Sequence, residues 1–191
     1  RPAIRLEHAQ ILAPEDIARV GGLGVLAGMQ PTHCTSDMPW APDRLGPERL
    51  AGAYAWRSVI DAGAVLAAGS DFPVESHDPR YGLYAAVTRR QPDGTPPRSW
   101  SPGQRLSREE ALAAFTAAPA YASGDLRDLG TLTPGKLADF VIWDRNLVTC
   151  DPEEILGART LLTAVGGRLR WIDENAGFAD LARTAFGEVP R

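Results

Sequence analysis

Up to Asp71, short apolar runs alternate with longer stretches whose apolar residues are spaced as in helices, and together they predict β–α–β–α–β. "AIRLEH", Ala3 to His8, reads as a strand, and "PEDIARVGGLG" as a helix with Pro14 in its first turn. "VLAGMQ", Val25 to Gln30, is a second strand, and Val65 to Ser70 a third. Between them lies a Pro-punctuated loop, "PTHCTSDMPWAPDRLGP", then a helix from about Glu48 to Ala62 in which Leu50, Tyr54 and Ile60 partly keep helical spacing. Strands alternating with helices imply a parallel sheet with right-handed crossovers, and "VLAAG" has the unbroken apolar character of a strand covered on both faces.

Beyond Asp71 the pattern changes. "DPRYGLYAAVTRR" reads as a helix and "QPDGTPPRSWSPGQR" as a loop. "LSREEALAAFTAAPAYA" is a helix opened by a capping box, Ser107 with Glu110, and ended or interrupted at Pro119. From Gly130 strands return: a turn at Pro134-Gly135, a strand from Phe140 to Trp143, and a hairpin about Gly166-Gly167, whose glycines permit the positive φ of a two-residue turn. Residues 174–186 are weakly helical. The expected division is an α/β portion over 1–129, a small β layer over 130–172 and a tail over 173–191.

Composition narrows the partners. The chain has 191 residues, 44% apolar and 23% charged, as in ordinary globular proteins. A net charge of −4 with no basic cluster argues against nucleic acid, and no run reaches the ~20 apolar residues of a spanning helix. Two cysteines, Cys34 and Cys150, make neither a disulfide framework nor a metal knuckle, so a reducing cytoplasm is the expected setting. The first residue is Arg1, not Met, and the chain is expected to be a piece of something longer.

The chemistry gathers at strand ends. In parallel α/β folds the carboxyl ends of strands face the functional cavity, and here they carry "LEH", "MQPTH" and "GSD". His8, Gln30, His33 and Asp71 therefore share one edge. Histidine nitrogen and aspartate oxygen are donors for Zn²⁺ or a related divalent ion, and a carboxylate beside metal-activated water serves as general base. Plainer readings stand beside these. His8 could be a structural hydrogen-bonding residue, Asp71 a turn residue before Phe72-Pro73, and His33 a loop anchor. Cys34 lacks a separate base or oxyanion feature and reads as inert, Arg57 as a salt-bridge residue, and His77 as surface. Glu75 is open, and Trp40 and Trp100 suit either a pocket floor or packing.

"RLEHAQILAPEDIARVGGLGVLAGMQPTH", "AGAVLAAGSDFPVE", "SREEALAAFTAAPA" and "LGTLTPGKLADFVIWD", in this order, resemble the C-terminal half of the amidohydrolase superfamily, in the family 3 branch that includes N-substituted formamide deformylase. The resemblance runs from Arg1 to about Trp171. It implies the last strands, six to eight, of a distorted TIM (β/α)8 barrel with part of a small β-sandwich. It also implies one or two divalent ions, with zinc expected, and hydrolysis of a C–N bond in a small amide- or formamide-type substrate. By the same resemblance His8 is a metal ligand, and Asp71 binds metal and shuttles the proton; Gln30 and His33, at the same strand edge, are the candidates for substrate contact. The family's H-x-H, strand-four lysine or acid, and strand-five histidine have no counterpart here. A full barrel takes about 250 residues. The expected partners are therefore an N-terminal half, as missing segment or separate chain, and further copies in a homo-oligomer. A non-catalytic binding or scaffold module on the same barrel is the alternative.

Overall fold

A computed structural model describes residues 4–189. Its first part is a parallel sheet in the order β1 (Arg5–Leu6), β2 (Leu26–Met29), β3 (Leu66–Ala68). Arg5 pairs with Leu26, and Ala27, Gly28 and Met29 pair with Leu66, Ala67 and Ala68. Helix α1 (Pro14–Gly22) links the first two strands, with Pro14 in the first turn, where its missing N–H is harmless, and Glu15 and Asp16 facing the positive helix end. All four residues of β2 are buried, as expected of a strand covered on both faces. The first strand is shorter than the predicted Ala3 to His8, and Ala3 lies outside the described residues.

The stretch between β2 and β3 departs from the sequence expectation. The predicted loop holds two helices, α2 (Pro31–Asp37) and α3 (Ala41–Leu50). Pro31 and Pro42 occupy first-turn positions, where proline starts a helix rather than breaking one. The helix expected from Glu48 to Ala62 is cut in two, since α3 ends at Leu50 and α4 spans Trp56–Asp61. The cause is tertiary. Residues 52–54 leave the helical path to lie along residues 10–12, where Ile11 and Ala53 form an antiparallel bridge and the Leu12 N–H donates to the Gly52 carbonyl at 3.0 Å. A Cβ at position 52 would sit 1.7 Å from the Leu12 oxygen, so only glycine permits the approach. Trp56 and Val59 of α4 and Met29 of β2 are buried in the main core, each worth about 1.5–3 kcal/mol of transfer free energy.

After β3 come α5 (Pro79–Thr88), α6 (Arg108–Phe115) and α7 (Ala117–Ser123). The capping box at Ser107 and Glu110 is formed, and the predicted interruption falls at Thr116, with Pro119 in the first turn of α7. Both α6 and α7 pack on β3. The second part is an antiparallel sheet, β4 (Phe140–Trp143), β5 (Thr160–Val165) and β6 (Arg168–Ile172), in that order. Gly166 and Gly167, at φ 59° and 70°, make its hairpin turn. Helix α8 (Ala179–Phe186) packs on β6 and closes a separate small core of Leu162, Ala164, Leu169, Ile172, Ala179 and Ala182. Among the described residues no helix is long and apolar enough to cross a membrane.

Candidate metal centre

His8, His33 and Asp71 meet beyond the carboxyl edge of the parallel sheet. Each offers one ligand atom, and the three atoms lie within 4.8 Å of one another. His8 follows β1 and Asp71 follows β3; both backbones are left-handed, at φ 67° and 54°. That conformation is rare outside glycine, though less so for Asp and His, and it turns each side chain away from the strand direction. His33 reaches the same point from the first turn of α2, just beyond β2.

The spacing leaves the three donors unsatisfied by one another. Asp71 Oδ2 lies 4.0 Å from His8 Nδ1 and 4.0 Å from His33 Nε2, too far for hydrogen bonds. The imidazoles lie face to face at 6.2 Å between centroids. His33 is only 8% exposed, and its Nε2 is buried without a hydrogen-bond partner. Such a vacancy costs free energy unless something fills it. Two nitrogens and a carboxylate oxygen, separated by roughly two arms of about 2.1 Å, fit a zinc-class ion. His8 and Asp71 are 49% and 40% exposed, so the outer side of the group is open.

The structure thus brings all four sequence candidates together, with one rearrangement. His33, expected at the substrate, shares the group of His8 and Asp71, while Gln30 holds its side-chain carbonyl 3.0 Å from His8 Nδ1. His77 stays apart, edge-on to Phe72 at 5.2 Å. Arg57 pairs with Asp61 at 3.2 Å and with Glu110, a salt-bridge residue as expected. Cys34, next to His33, is wholly buried, and burial pushes its thiol up to about 12, leaving no thiolate near neutrality. Glu75 accepts from Ser36 at 2.7 Å, and both line a cleft of about 520 Å³ with Thr32, Tyr81, Tyr84 and Arg90.

Sequence reasoning missed a polar group behind the centre, formed by Gln10, Asp37 and Tyr54. The i, i+4 spacing of His33 and Asp37 was a usable sign, hidden because two prolines made the segment read as loop.

Comparison with known proteins gives consistent relatives. The family described as "Amidohydrolase family" matches residues 1–170. The chain is 39% identical over 165 residues to Protein LONG AFTER FAR-RED 3 of Arabidopsis thaliana, covering 86% of this chain and 28% of that protein. It is 34% identical over 173 residues to the N-substituted formamide deformylase of Arthrobacter pascens, covering 88% and 31%. An uncharacterized metal-dependent hydrolase from Pyrococcus horikoshii OT3 superposes with a TM-score of 0.68 at 30% identity, over 78% of this chain and 30% of its own. The chain spans about three tenths of the length of these relatives.

Proposed function

Because this chain belongs to the amidohydrolase family, we propose that His8, His33 and Asp71 form part of a divalent-metal centre hydrolysing a C–N bond in a small amide- or formamide-type molecule. One observation carries the reading: donors following three neighbouring parallel strands converge within 4.8 Å, and the buried one, His33 Nε2, has no partner of its own. The similarity to a formamide deformylase and to a metal-dependent hydrolase supports the same class of reaction.

The residues divide the work by burial. His33, held in the wall, would supply a fixed nitrogen, and His8 would supply a second at the rim. A bound ion of the zinc class would supply Lewis-acid polarisation of the substrate carbonyl and would acidify water. Asp71, at 40% exposure, is placed to take a proton from that water on a carboxylate oxygen and return it to the departing nitrogen. Water and amide are consumed, and carboxylic acid and amine are released. Gln30, which meets His8 at the same strand edge, would contact the substrate.

The remaining barrel strands belong to the proposal too. Closing a barrel takes about eight strands, and the parallel sheet has three, with β1 and β3 each paired on one side only among the described residues. An N-terminal half, in the same polypeptide or a second one, would complete both the sheet and the ligand set.

The test is metal content by elemental analysis of the protein as its gene encodes it, alongside His8→Ala and His33→Ala. Each variant is expected to lose zinc affinity. Unchanged stoichiometry and affinity in both would remove the histidines from the ligand set, and full metal binding without turnover of any screened amide would favour the binding-module alternative.

A further inference from the structure

We propose that Gln10, Asp37 and Tyr54 are positioning residues that hold the two metal-binding histidines in register, by locking the turn that carries His8 to the helix that carries His33. The inference rests on the reading of those histidines as ligands.

The need for a lock is local. His8 and Ala9 are consecutive non-glycine residues with left-handed backbones, φ 67° and 36°, a conformation that persists only when its surroundings over-determine it. What over-determines it begins at the next residue. The Gln10 carbonyl accepts from the Tyr54 N–H at 2.6 Å, and the Gln10 side-chain amide donates to Asp37 Oδ2 and to the Tyr54 hydroxyl, each at 3.3 Å. The Tyr54 hydroxyl in turn donates to Asp37 Oδ2. Two amide hydrogens and one hydroxyl hydrogen are thereby matched to acceptors within a closed triangle.

Each corner sits on a different segment. Gln10 is two residues after His8. Asp37 is four residues after His33, one turn along α2 on the same face, so its carboxylate moves with that imidazole. Tyr54, itself left-handed at φ 50°, lies in the break between α3 and α4. Arg89 fixes this third corner from behind: it is fully buried, donates from Nη1 to the Tyr54 carbonyl at 2.9 Å and from Nε to the Trp100 carbonyl at 2.6 Å, and lies over Trp56 and Trp100. Burial, reinforced by Asp37, raises the Tyr54 hydroxyl above the usual phenol range, so it remains a donor.

Tyr54→Phe removes only the hydroxyl. It is expected to weaken zinc binding about ten-fold, the lower end of what outer partners of metal ligands contribute, measured by competition with a chromophoric chelator. The visible spectrum of the cobalt(II)-loaded protein should broaden, since the histidines are less well fixed. Asp37→Ala should do more, and Asp37→Asn, which keeps one acceptor, should recover part of the loss. Ser58→Ala, which deletes a part-buried hydroxyl bonded to Gln104 at 2.7 Å on α4, is the control. It is expected to keep wild-type zinc affinity even if its melting temperature falls as far as that of Tyr54→Phe, and an equal loss of affinity in this control would overturn the positioning role. Wild-type affinity and cobalt spectrum in both Tyr54→Phe and Asp37→Ala, while His33→Ala loses metal, would overturn the positioning role alone. Failure of His33→Ala to lose metal would overturn the ligand reading and this inference with it.

Discussion

Asp71 could be picked from the chain because a carboxylate directly after a small-residue apolar strand stands out; its side chain is 40% exposed, so its position at the strand end rather than burial marks it. His8 follows a strand whose two residues are exposed, and it was picked out by the motif around it rather than by burial. His33 was only half legible: its place after the second strand was readable, but a proline hid the helix that swings it toward the other two. Gln30 was found at the right edge, yet its hydrogen bond to His8 depends on a side-chain approach that sequence spacing does not encode. If Asp71 is the general base, Asp71→Asn keeps its shape but cannot take a proton near neutrality. Turnover per bound zinc is then expected to fall about 10²–10⁴-fold; steady-state kinetics beside metal analysis would separate this loss from the weaker zinc binding expected of the changed ligand.

Among the elements, the βαβαβ order and the capping box could be read from the chain, whereas the division of the Glu48–Ala62 helix could not. Local apolar spacing favoured a continuous helix, and a distant segment, residues 10–12, overrode it. Gly52 is where that contact is decided. Gly52→Ala would drive a Cβ into the Leu12 carbonyl, and a loss of about 3 kcal/mol or more is expected in urea unfolding, above the usual range for overpacking because both sides are backbone. The antiparallel sheet offers a test by pH. Asp144, just after β4, accepts from Arg145 Nε at 3.0 Å and from the Arg159 backbone N–H at 2.9 Å, and these contacts hold its carboxyl below the usual range. A depressed folded pKa means the stabilisation is complete above the unfolded value of about 3.9 and drains away as pH falls through the folded one. Asp144→Asn should therefore melt lower than wild type near neutral pH, and the gap should narrow as the pH is taken down to about 2.

Over the whole molecule, the two sheets carry different amounts of unfinished business. The antiparallel one has its own small core under α8, while the parallel one exposes Ile4, Leu6 and Val65 near its outer strands. Unpaired strand edges beside apolar side chains promote association. A polypeptide limited to residues 1–191 is expected to elute above monomer size in gel filtration and to lack hydrolase activity, with co-expression of an N-terminal half restoring a defined species. A monomeric, cooperatively melting and active polypeptide of that length would remove the half-barrel proposal. The sequence pointed to this through the count of strands, which is robust; it could not give the depth of the cleft beside Glu75, which depends on how α2 and α5 meet.

The burial of Cys34 turns the protein into its own clock. Cys150 is half-buried, so an alkylating reagent should modify it within the native state. Cys34 can react only when α2 lifts from the core, and its labelling rate, followed by mass spectrometry, then counts openings of the segment that bears His33. Zinc that ties His33 to its neighbours should slow this second modification and leave the first untouched.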